Sequence, residues 1–456
     1  MRRSLFSIWM IAAMLLAGRS FGEMFRDGET VCFLGDSITN GGRYQGIIQN
    51  YYLTRFPDRT LRFVNAGRSG DTADGALARL REDVIDKKPT TVAIMLGMND
   101  VNRGLYVADP DEKQRARQQQ ALDSYRKNME TVTQRVLTEA GAPKLIFITP
   151  SPFDQTAVND RNNNQPGCND GLGRCAKIVR ELAAKNHGTV VDFHAPMTAF
   201  NLQRQQQDPN YTIIGPDRVH PGPPGLLMMA WLFLKSQDAP SLVSHVKVDA
   251  AAGRVVAGDN AEVTAVVKRD GGVTFTVLAK ALPFPVESAA GEMLALLPIG
   301  KDLNQELLEI GGLADGDYEL KIDGTPVGRH TREELARGVN LAFNEATPQF
   351  KQAREVALHN ERRRNAEVQA RDLLNTRRWM QGHHKIDVED PVAVRAYYDQ
   401  FKDKQEYNAL KALNYIEHWP QYGDFLKQMA AHEQEALASR MPVPRVYAVA
   451  PLAKTK

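Results

Sequence analysis

The segment Val31-Cys32-Phe33-Leu34-Gly35-Asp36-Ser37-Ile38-Thr39 decides the fold of the first half of this 456-residue chain. Four apolar residues come first, and a glycine and an aspartate follow them directly. A short continuous apolar run that ends in turn residues is typical of a strand buried on both faces. The segment therefore predicts a buried strand that opens into a loop at Ser37.

Similar apolar runs recur up to about residue 237, and longer amphipathic stretches separate them. The predicted strands are residues 31–34, 61–65, 91–96, 144–149 and 189–193. The predicted helices are residues 44–55, 72–83, 122–140, 173–185 and 224–235. Mostly apolar strands that alternate with helices indicate an α/β domain with a parallel sheet between two helical layers, which we place at residues 23–238. Ligands of such domains bind at the carboxyl ends of the strands.

The pattern changes near Ala239-Pro240. Short β-branched runs with a turn at Asp270-Gly271-Gly272 predict a small antiparallel β domain over residues 239–330. A helical region is predicted over residues 331–440, because Thr331 precedes Glu334 with the spacing of a capping box and Thr347-Pro348 is a typical helix start. Residues 441–456 are predicted to be a tail.

The first 22 residues have the pattern of a secretory signal. Arg2 and Arg3 precede an apolar stretch at residues 5–16, and Ser20-Phe21-Gly22 offers small residues for cleavage. The stretch is shorter than the roughly 20 apolar residues that span a bilayer. We therefore expect an exported protein, periplasmic or secreted, with no integral membrane span after the signal is removed.

Charge argues against a polyanion partner. Removing Arg2, Arg3 and Arg19 takes three positive charges from a formal net charge of +2 and leaves −1, so a global field for nucleic acid is not expected. The densest basic runs, at residues 361–364 and 377–378, have acidic neighbours and are predicted to form a solvated helical face.

Neither a metal nor a cofactor is predicted. His383-His384 is an adjacent pair without spaced carboxylates and is expected at the surface. Cys32 lies in an apolar run and is expected in the core. Cys168 and Cys175 bracket a Gly/Asn-rich stretch, and a disulfide and two free thiols both remain open for them.

Four short segments carry residues suited to one catalytic site. Ser37, Gly67 and Asn99 each fall just beyond a predicted strand, the first, second and third in order. Asp217 and His220 follow on a Pro/Gly-rich loop near the end of the domain. Because the carboxyl ends of parallel strands meet at one edge of the sheet, these residues are expected to share a site.

Each residue has a candidate role in acyl transfer. His220 would accept the hydroxyl proton of Ser37, and Asp217 would hold the imidazole in the correct tautomer. The backbone N–H groups of Ser37 and Gly67 and the side-chain amide of Asn99 would form an oxyanion hole. Gly67 is expected to leave room for substrate.

These residues resemble the four sequence blocks of the SGNH (GDSL-type) hydrolases, a family named for its Ser, Gly, Asn and His. The matching segments are Gly35-Asp36-Ser37-Ile38, the glycine of Asn65-Ala66-Gly67, Gly97-Met98-Asn99-Asp100 and Asp217-Arg218-Val219-His220. The resemblance covers about residues 28–237. It implies a flavodoxin-like fold and hydrolysis of esters or thioesters through an acyl-enzyme on Ser37.

Polar stretches near the motifs favour a carbohydrate ester over a lipid. One of them is Asn162-Asn163-Asn164-Gln165, and another is a polar insertion at residues 106–120, expected to be a solvated loop or a lid. Exported relatives with similar motifs resemble carbohydrate acetylesterases, which implies a small-molecule or polysaccharide ester as substrate. Lipase or lysophospholipase, thioesterase, O-acetyltransferase and glycan-binding protein remain alternatives. The sequence does not indicate an oligomeric state.

Overall fold

A five-stranded parallel sheet occupies the centre of the first half of the chain. In the computed structural model, which describes residues 23–402 and 407–452, the strand order is β2-β1-β3-β4-β5. The strands are β1 (Thr30–Gly35), β2 (Arg62–Gly67), β3 (Thr91–Met95), β4 (Lys144–Ile148) and β5 (Thr189–Val191). The predicted signal, residues 1–22, lies outside the described residues.

Helices cover both faces of this sheet, so β1 and β3 are buried along nearly their whole length. They are α1 (Ser37–Asn40), α2 (Arg43–Arg55), α3 (Ala73–Asp83), α4 (Glu112–Glu139), α5 (Cys168–Lys185), α6 (His194–Gln205) and α7 (Pro223–Ser236). The predicted α/β fold with a parallel sheet between helical layers is confirmed. None of the helices within the described ranges is long and apolar enough to cross a membrane.

The polar insertion at residues 106–120 is neither a solvated loop nor a lid along most of its length. Helix α4 begins within it, where Asp111 and Gln114 form a capping box. The first turns of α4 are largely exposed and therefore have no apolar periodicity, which explains why the helix was predicted to start only at residue 122.

Cys168 and Cys175 are free, buried thiols on α5, so the disulfide considered for them does not form. Seven residues of α-helix rise about 10.5 Å. A disulfide needs Cα atoms about 4.4–6.8 Å apart. Burial raises the pKa of Cys168 to about 12, so this thiol is unreactive at neutral pH.

Two further sheets follow the first domain. Their strands are β6 (Leu242–Asp249), β7 (Arg254–Asp259), β8 (Ala261–Arg269), β9 (Gly272–Ala279), β10 (Gln305–Gly311), β11 (Asp317–Ile322), β12 (Thr325–Thr331), β13 (Val339–Asn340) and β14 (Arg445–Pro451). One sheet has the order β13-β10-β6-β7 and the other β12-β11-β14-β9-β8. All the pairs are antiparallel except β6 with β10, which is parallel.

The predicted tail, residues 441–456, contains strand β14. It lies between β11 and β9 in the middle of a sheet, and Tyr447 and Val449 on it are buried. The ring of Tyr447 stacks on Phe275 of β9, with centroids 5.4 Å apart. The run is short and close to prolines, so it was not recognised as a strand. Its pairing partners also lie far away in sequence.

The remaining helices are α8 (Met293–Leu296), α9 (Ile299–Leu303), α10 (Arg332–Arg337), α11 (Pro348–His384), α12 (Pro391–Asp399), α13 (Tyr407–His418) and α14 (Tyr422–Ser439). Thr331 and Glu334 form the predicted capping box of α10, and Thr347 caps α11 ahead of Pro348. Both predicted helix starts are confirmed.

Helix α11 packs against α2 of the first domain, and two of its arginines are buried there. Arg363 donates from Nη2 to Oε1 of Gln49 at 3.0 Å, and the stem of Arg364 lies against Gly42. The prediction of a solvated face is therefore wrong for Arg363 and Arg364. The charge pattern of one segment carries no information about distant segments. It therefore could not show that these two arginines pack on a polar surface of the first domain.

Candidate active site

Ser37 stands at the carboxyl end of β1, as the first residue of the four-residue helix α1. The carboxylate of Asp36 caps this helix and accepts a hydrogen bond from the backbone N–H of Ile38 at 3.0 Å. A Cβ on Gly35 would lie 2.7 Å from the carbonyl oxygen of Met95 on β3 and 2.2 Å from Oγ1 of Thr39 on α1. The glycine therefore lets α1 and β3 approach this strand end closely.

A continuous hydrogen-bonded chain joins Ser37, His220 and Asp217. The hydroxyl of Ser37 lies 2.7 Å from Nε2 of His220, and Nδ1 of the same ring lies 2.5 Å from Oδ2 of Asp217. The other carboxylate oxygen of Asp217 accepts from the backbone N–H groups of Val219 and His220, both at 3.0 Å. This short-range turn fixes the carboxylate and the imidazole relative to each other.

The electrostatics of Asp217 suit a partner of imidazole. Partial burial would raise the pKa of this carboxyl group, but the hydrogen bonds from His220 and Val219 outweigh it and hold the pKa below its ordinary value. The carboxylate is thus ionised at neutral pH. The side chains of Asp217 and His220 are 44% and 49% exposed, so both are accessible from solvent.

Two of the candidate oxyanion donors are Gly67, the last residue of β2, and Asn99 in the loop after β3. The backbone N–H of Gly67 donates to Oδ1 of Asn65 at 2.9 Å. The side chain of Asn99 donates to the carbonyl of Asp71 at 2.8 Å and accepts from Arg103 at 3.1 Å. One hydrogen of the Asn99 amide remains for another acceptor, whereas the N–H of Gly67 has to exchange its present partner.

Gly67 is a glycine for a reason that sequence analysis did not find. A Cβ at this position would lie 2.3 Å from the backbone nitrogen of Asn40 and 2.6 Å from the carbonyl carbon of Thr39. The expectation was that the missing side chain makes room for substrate. The structure fills that space with the backbone of α1, so the glycine lets β2 approach the helix that carries Ser37.

Three aspartates lie in or next to these segments; Asp36 and Asp71 are buried, and Asp100 is partly buried. Burial raises the pKa of Asp36 to about 7 and that of Asp100 to about 6. Asp71 forms a buried ion pair with Arg79 of α3, at 2.6 Å. Asp100 accepts from the backbone N–H of Ala73 at 2.8 Å, which ties the loop of Asn99 to the start of α3. Of these three aspartates, only Asp36 and Asp100 lie within the sequence blocks quoted above, so sequence analysis did not single out Asp71.

The C-terminal region also contacts the site. Arg371 on α11 donates from Nη2 to the carbonyls of Asn40 at 3.2 Å and Gly67 at 3.1 Å, and to the side-chain oxygen of Asn40. The amide of Asn40 donates to Asp372 at 3.2 Å. Sequence analysis missed Arg371 and Asp372, since no local pattern marks a helical residue that reaches an active site some 300 positions earlier in the chain.

One group of side chains in the described ranges has a composition suited to a metal ion. His359 on α11 and His432 and Glu435 on α14 bring potential ligand atoms within 4.8 Å of one another. None of them belongs to the Ser37 site. The pair considered from sequence, His383-His384, is exposed, and His384 packs against Trp379 with ring centroids 4.4 Å apart.

Comparison with known proteins agrees with this geometry. Residues 33–226 match the model of the GDSL-like Lipase/Acylhydrolase family. The match includes Ser37 and His220, and it supports an SGNH-type serine carboxylic ester hydrolase in this part of the chain.

An acetylxylan esterase from Geobacillus stearothermophilus is 29% identical over 223 residues, which are 46% of this chain and 93% of the esterase. The solved structure of BT4096, described as a gut microbial diltiazem-metabolizing enzyme, is 29% identical and has a TM-score of 0.85. It covers 95% of this chain and 100% of its own, so the similarity extends beyond the catalytic half into the C-terminal half. The crystal structure of Axe2, an acetylxylan esterase from the same Geobacillus species, is 27% identical over 46% of this chain and 95% of its own, with a TM-score of 0.37.

Proposed function

We propose that this enzyme removes acetyl groups from acetylated carbohydrate through an acyl-enzyme on Ser37. The observation that carries the proposal is the hydrogen-bonded chain from Ser37 through His220 to Asp217, with distances of 2.7 and 2.5 Å. A hydroxyl, a base and a group that orients the base are what nucleophilic catalysis by serine requires.

In the first half-reaction, Oγ of Ser37 attacks the acetyl carbonyl carbon and Nε2 of His220 takes the hydroxyl proton. Asp217 accepts the N–H of the other ring nitrogen and stabilises the imidazolium that forms. The C–O bond to the sugar then breaks, and the imidazolium gives its proton to the leaving alcohol oxygen. An acetyl group remains on Ser37.

In the second half-reaction, water attacks the acetyl carbonyl carbon while His220 accepts its proton. The bond to Oγ breaks, the serine regains a proton from the imidazolium, and acetate leaves. The exposure of Asp217 and His220 supports hydrolysis over acetyl transfer, because transfer would require water to be kept away from the acyl-enzyme.

We assign the hydrogen bonds that stabilise the developing oxyanion to the N–H groups of Ser37 and Gly67 and to the side-chain amide of Asn99. Contacts with Asp71 and Arg103 already hold the Asn99 amide in one orientation. Preorganised donors of this kind lower the barrier because they do not reorganise during the reaction. When the oxyanion forms, the backbone N–H of Gly67 leaves Oδ1 of Asn65 and donates to the oxyanion instead.

Two observations support a carbohydrate ester. The loop of the base is bordered by polar side chains, since Asn163 donates to the carbonyl of Pro216 at 3.0 Å and accepts from Arg218 at 2.9 Å. The relative that matches the catalytic half is an acetylxylan esterase. A lipase or lysophospholipase would be expected to present an apolar groove instead.

We also propose that residues 1–22 direct export. The sequence of the N-terminus after expression in a bacterial host and recovery from the periplasm or medium tests this. A mature N-terminus at or near residue 23 supports export with cleavage, and retention of the full chain in the cytoplasm contradicts it.

The decisive experiment is acetate release from acetylated xylan, mannan and pectin by wild type and Ser37→Ala. p-Nitrophenyl acetate and p-nitrophenyl palmitate serve as esters without a sugar. Serine-dependent acetate release from at least one polysaccharide supports the proposal. Activity confined to palmitate moves the assignment to lipids, and acetate release by Ser37→Ala equal to wild type overturns the role of Ser37.

A further inference from the structure

A cleft of about 150 Å³ lies between the loop after β2 and the C-terminal helices. The catalytic half contributes Arg68 and Ser69, which directly follow Gly67 in the chain. Helices α11 and α13 contribute the facing wall. Its side chains include Asp372, Asn375, Trp379 and Lys411. The cleft therefore exists only because α11 and α13 lie against the catalytic domain.

The cleft is adjacent to the nucleophile. Asn40, which ends the helix that Ser37 begins, donates from its amide to Ser69 at 3.4 Å and to Asp372 at 3.2 Å, and both acceptors line the cleft. Three residues of helix rise about 4.5 Å, which is less than the length of one sugar unit. Ser37 and the residue that contacts the cleft are therefore about one helical turn apart.

Polar side chains that face the cleft have unused hydrogen-bonding capacity. Within residues 23–402 and 407–452, the side chains of Arg68 and Asn375 and the indole N–H of Trp379 line the cleft and have no hydrogen-bond partner. Arg68 and Asn375 offer several donors each, and Asn375 also offers an acceptor. Sugar hydroxyls both donate and accept, so they match this set.

Trp379 supplies an aromatic surface beside these groups. Its ring is held by edge contacts with His384 and Tyr397, at centroid distances of 4.4 and 5.8 Å. A rigid aromatic side chain presents a large apolar area at low entropic cost, and its polar end remains available for a hydrogen bond. The carbon face of a sugar ring packs well on such a surface.

The wall also carries a charged pair that disfavours a fatty acyl chain. Nζ of Lys411 lies 2.7 Å from Oδ2 of Asp372, and both groups are partly exposed in the cleft. An alkyl chain laid over them would remove water from two charges without offering hydrogen bonds in return. Sugar hydroxyls can replace that water.

We infer that this cleft binds the sugar that carries the ester, so that the C-terminal helical region selects the substrate. Trp379 packs against the ring, and Arg68 and Asn375 bind its hydroxyls. The inference rests on the proposed carbohydrate esterase activity and adds the position of the leaving alcohol to it. The catalytic half then supplies the chemistry, and α11 and α13 supply specificity.

The test is a comparison of two substrates in Trp379→Ala and Asn375→Ala. The first is the acetylated oligosaccharide that wild type hydrolyses best among xylan, mannan and pectin fragments, and the second is p-nitrophenyl acetate, which has no sugar. We expect each variant to lose about tenfold in kcat/KM on the oligosaccharide, mainly through KM, and to stay within about twofold on p-nitrophenyl acetate. Trp379→Phe, which keeps an aromatic face, should recover most of the loss.

Binding measured without turnover provides an independent readout. Titration of Ser37→Ala with the same acetylated oligosaccharide should give a Kd that rises about tenfold when Trp379→Ala is added. Unchanged kcat/KM in both cleft variants, together with an unchanged Kd when Trp379→Ala is added to Ser37→Ala, overturns the inference and leaves the esterase proposal intact. An equal loss on both substrates also overturns it, because it indicates a disturbed catalytic site.

Failure of the underlying activity has a different signature. If wild type releases no acetate from any of the oligosaccharides but hydrolyses p-nitrophenyl acetate, the carbohydrate assignment itself is overturned, and the cleft inference with it. Thermal melting of each variant within a few degrees of wild type shows that a loss does not come from unfolding.

Discussion

Arg371 donates a hydrogen bond from Nη2 to the backbone carbonyl of Gly67 at 3.1 Å, across 304 positions of sequence. The same nitrogen also donates to the carbonyl of Asn40 at 3.2 Å. One guanidinium on α11 therefore links the helix that begins with Ser37 to the strand end that carries a candidate oxyanion donor. The C-terminal region is part of the architecture of the site.

Arg371→Met should lower kcat by about tenfold and change KM little, because Arg371 positions the backbone of Gly67 without touching substrate. The measurement is steady-state kinetics on p-nitrophenyl acetate. Arg362→Met is the matched control, since Arg362 is an exposed arginine on the same helix, and it should stay within about twofold of wild type. An Arg371→Met enzyme with wild-type kcat would show that the loop keeps its geometry without α11.

Asn99→Ala should fold normally and lose about 10²–10³ in turnover, the usual effect of removing one oxyanion donor. The contacts of Asn99 with Asp71 and Arg103 are local, so melting should change by only a few degrees. Ser37→Ala and His220→Ala should abolish nearly all serine-dependent activity. Wild-type turnover in Asn99→Ala would remove Asn99 from the oxyanion hole.

Asp217→Asn should reduce kcat no more than His220→Ala does. The amide oxygen can still accept from the backbone N–H groups of Val219 and His220, so the loop is expected to persist. The amide cannot stabilise the imidazolium as a carboxylate does, which accounts for the loss that remains. A variant with undiminished kcat would show that His220 does not need this partner.

The difference in stability between Asp36→Asn and wild type should shift in favour of the variant as pH rises from about 4 to about 7. Burial raises the pKa of Asp36 to about 7, so the unfolded chain loses this proton before the folded chain does, and stability falls across that window. The hydrogen bond from Ile38 and the charge of Arg103 lower this pKa, whereas the charges of Asp100 and Asp71 raise it further. An asparagine keeps the cap on Ile38 but does not titrate.

Thermal melting of Asp36→Asn and wild type at pH 4, 5, 6 and 7 measures this difference. Asp111→Asn, at the exposed cap of α4, controls for replacing a capping carboxylate by an amide. A difference in melting temperature that stays constant across the series would contradict the raised pKa of Asp36.

Tyr447→Ala should lower the free energy of unfolding by about 3–5 kcal/mol, as expected for truncating a buried aromatic side chain. Tyr447 is 6% exposed, stacks on Phe275 and accepts a hydrogen bond from Gln349 at 3.0 Å. Its neighbour Val446 on β14 is 52% exposed, so Val446→Ala should change stability by no more than about 0.5 kcal/mol. Chemical denaturation of both variants tests this, and equal stabilities would mean that β14 contributes little.

The catalytic half was predictable because its signals are local. β1 and β3 are continuous apolar runs, and the turns after them carry Ser37 and Asn99. The first residues of α4 were missed because they are exposed and polar, and α6 was missed for want of a clear apolar period. The limits of the predicted domains, at residues 238, 330 and 440, remain predictions.

The rest depended on long-range contacts that one sequence does not encode in any local pattern. Nothing near Arg371 or Trp379 indicates that α11 lies against the Ser37 loop. The packing of Gly67 against Asn40 could not be predicted from the sequence either. A glycine at such a position has several possible explanations until its neighbours in space are known.

The position of β14 has a consequence for the order in which the protein can form during synthesis. Its partner β11 is complete some 120 residues before β14 emerges, as the hydrogen bond between Asp323 and Val446 illustrates with a separation of 123 positions. Until then β9 and β11 each lack a neighbour, and their unpaired backbone groups are open to pairing with other chains. Closure of this sheet therefore waits until nearly the whole chain has been synthesised.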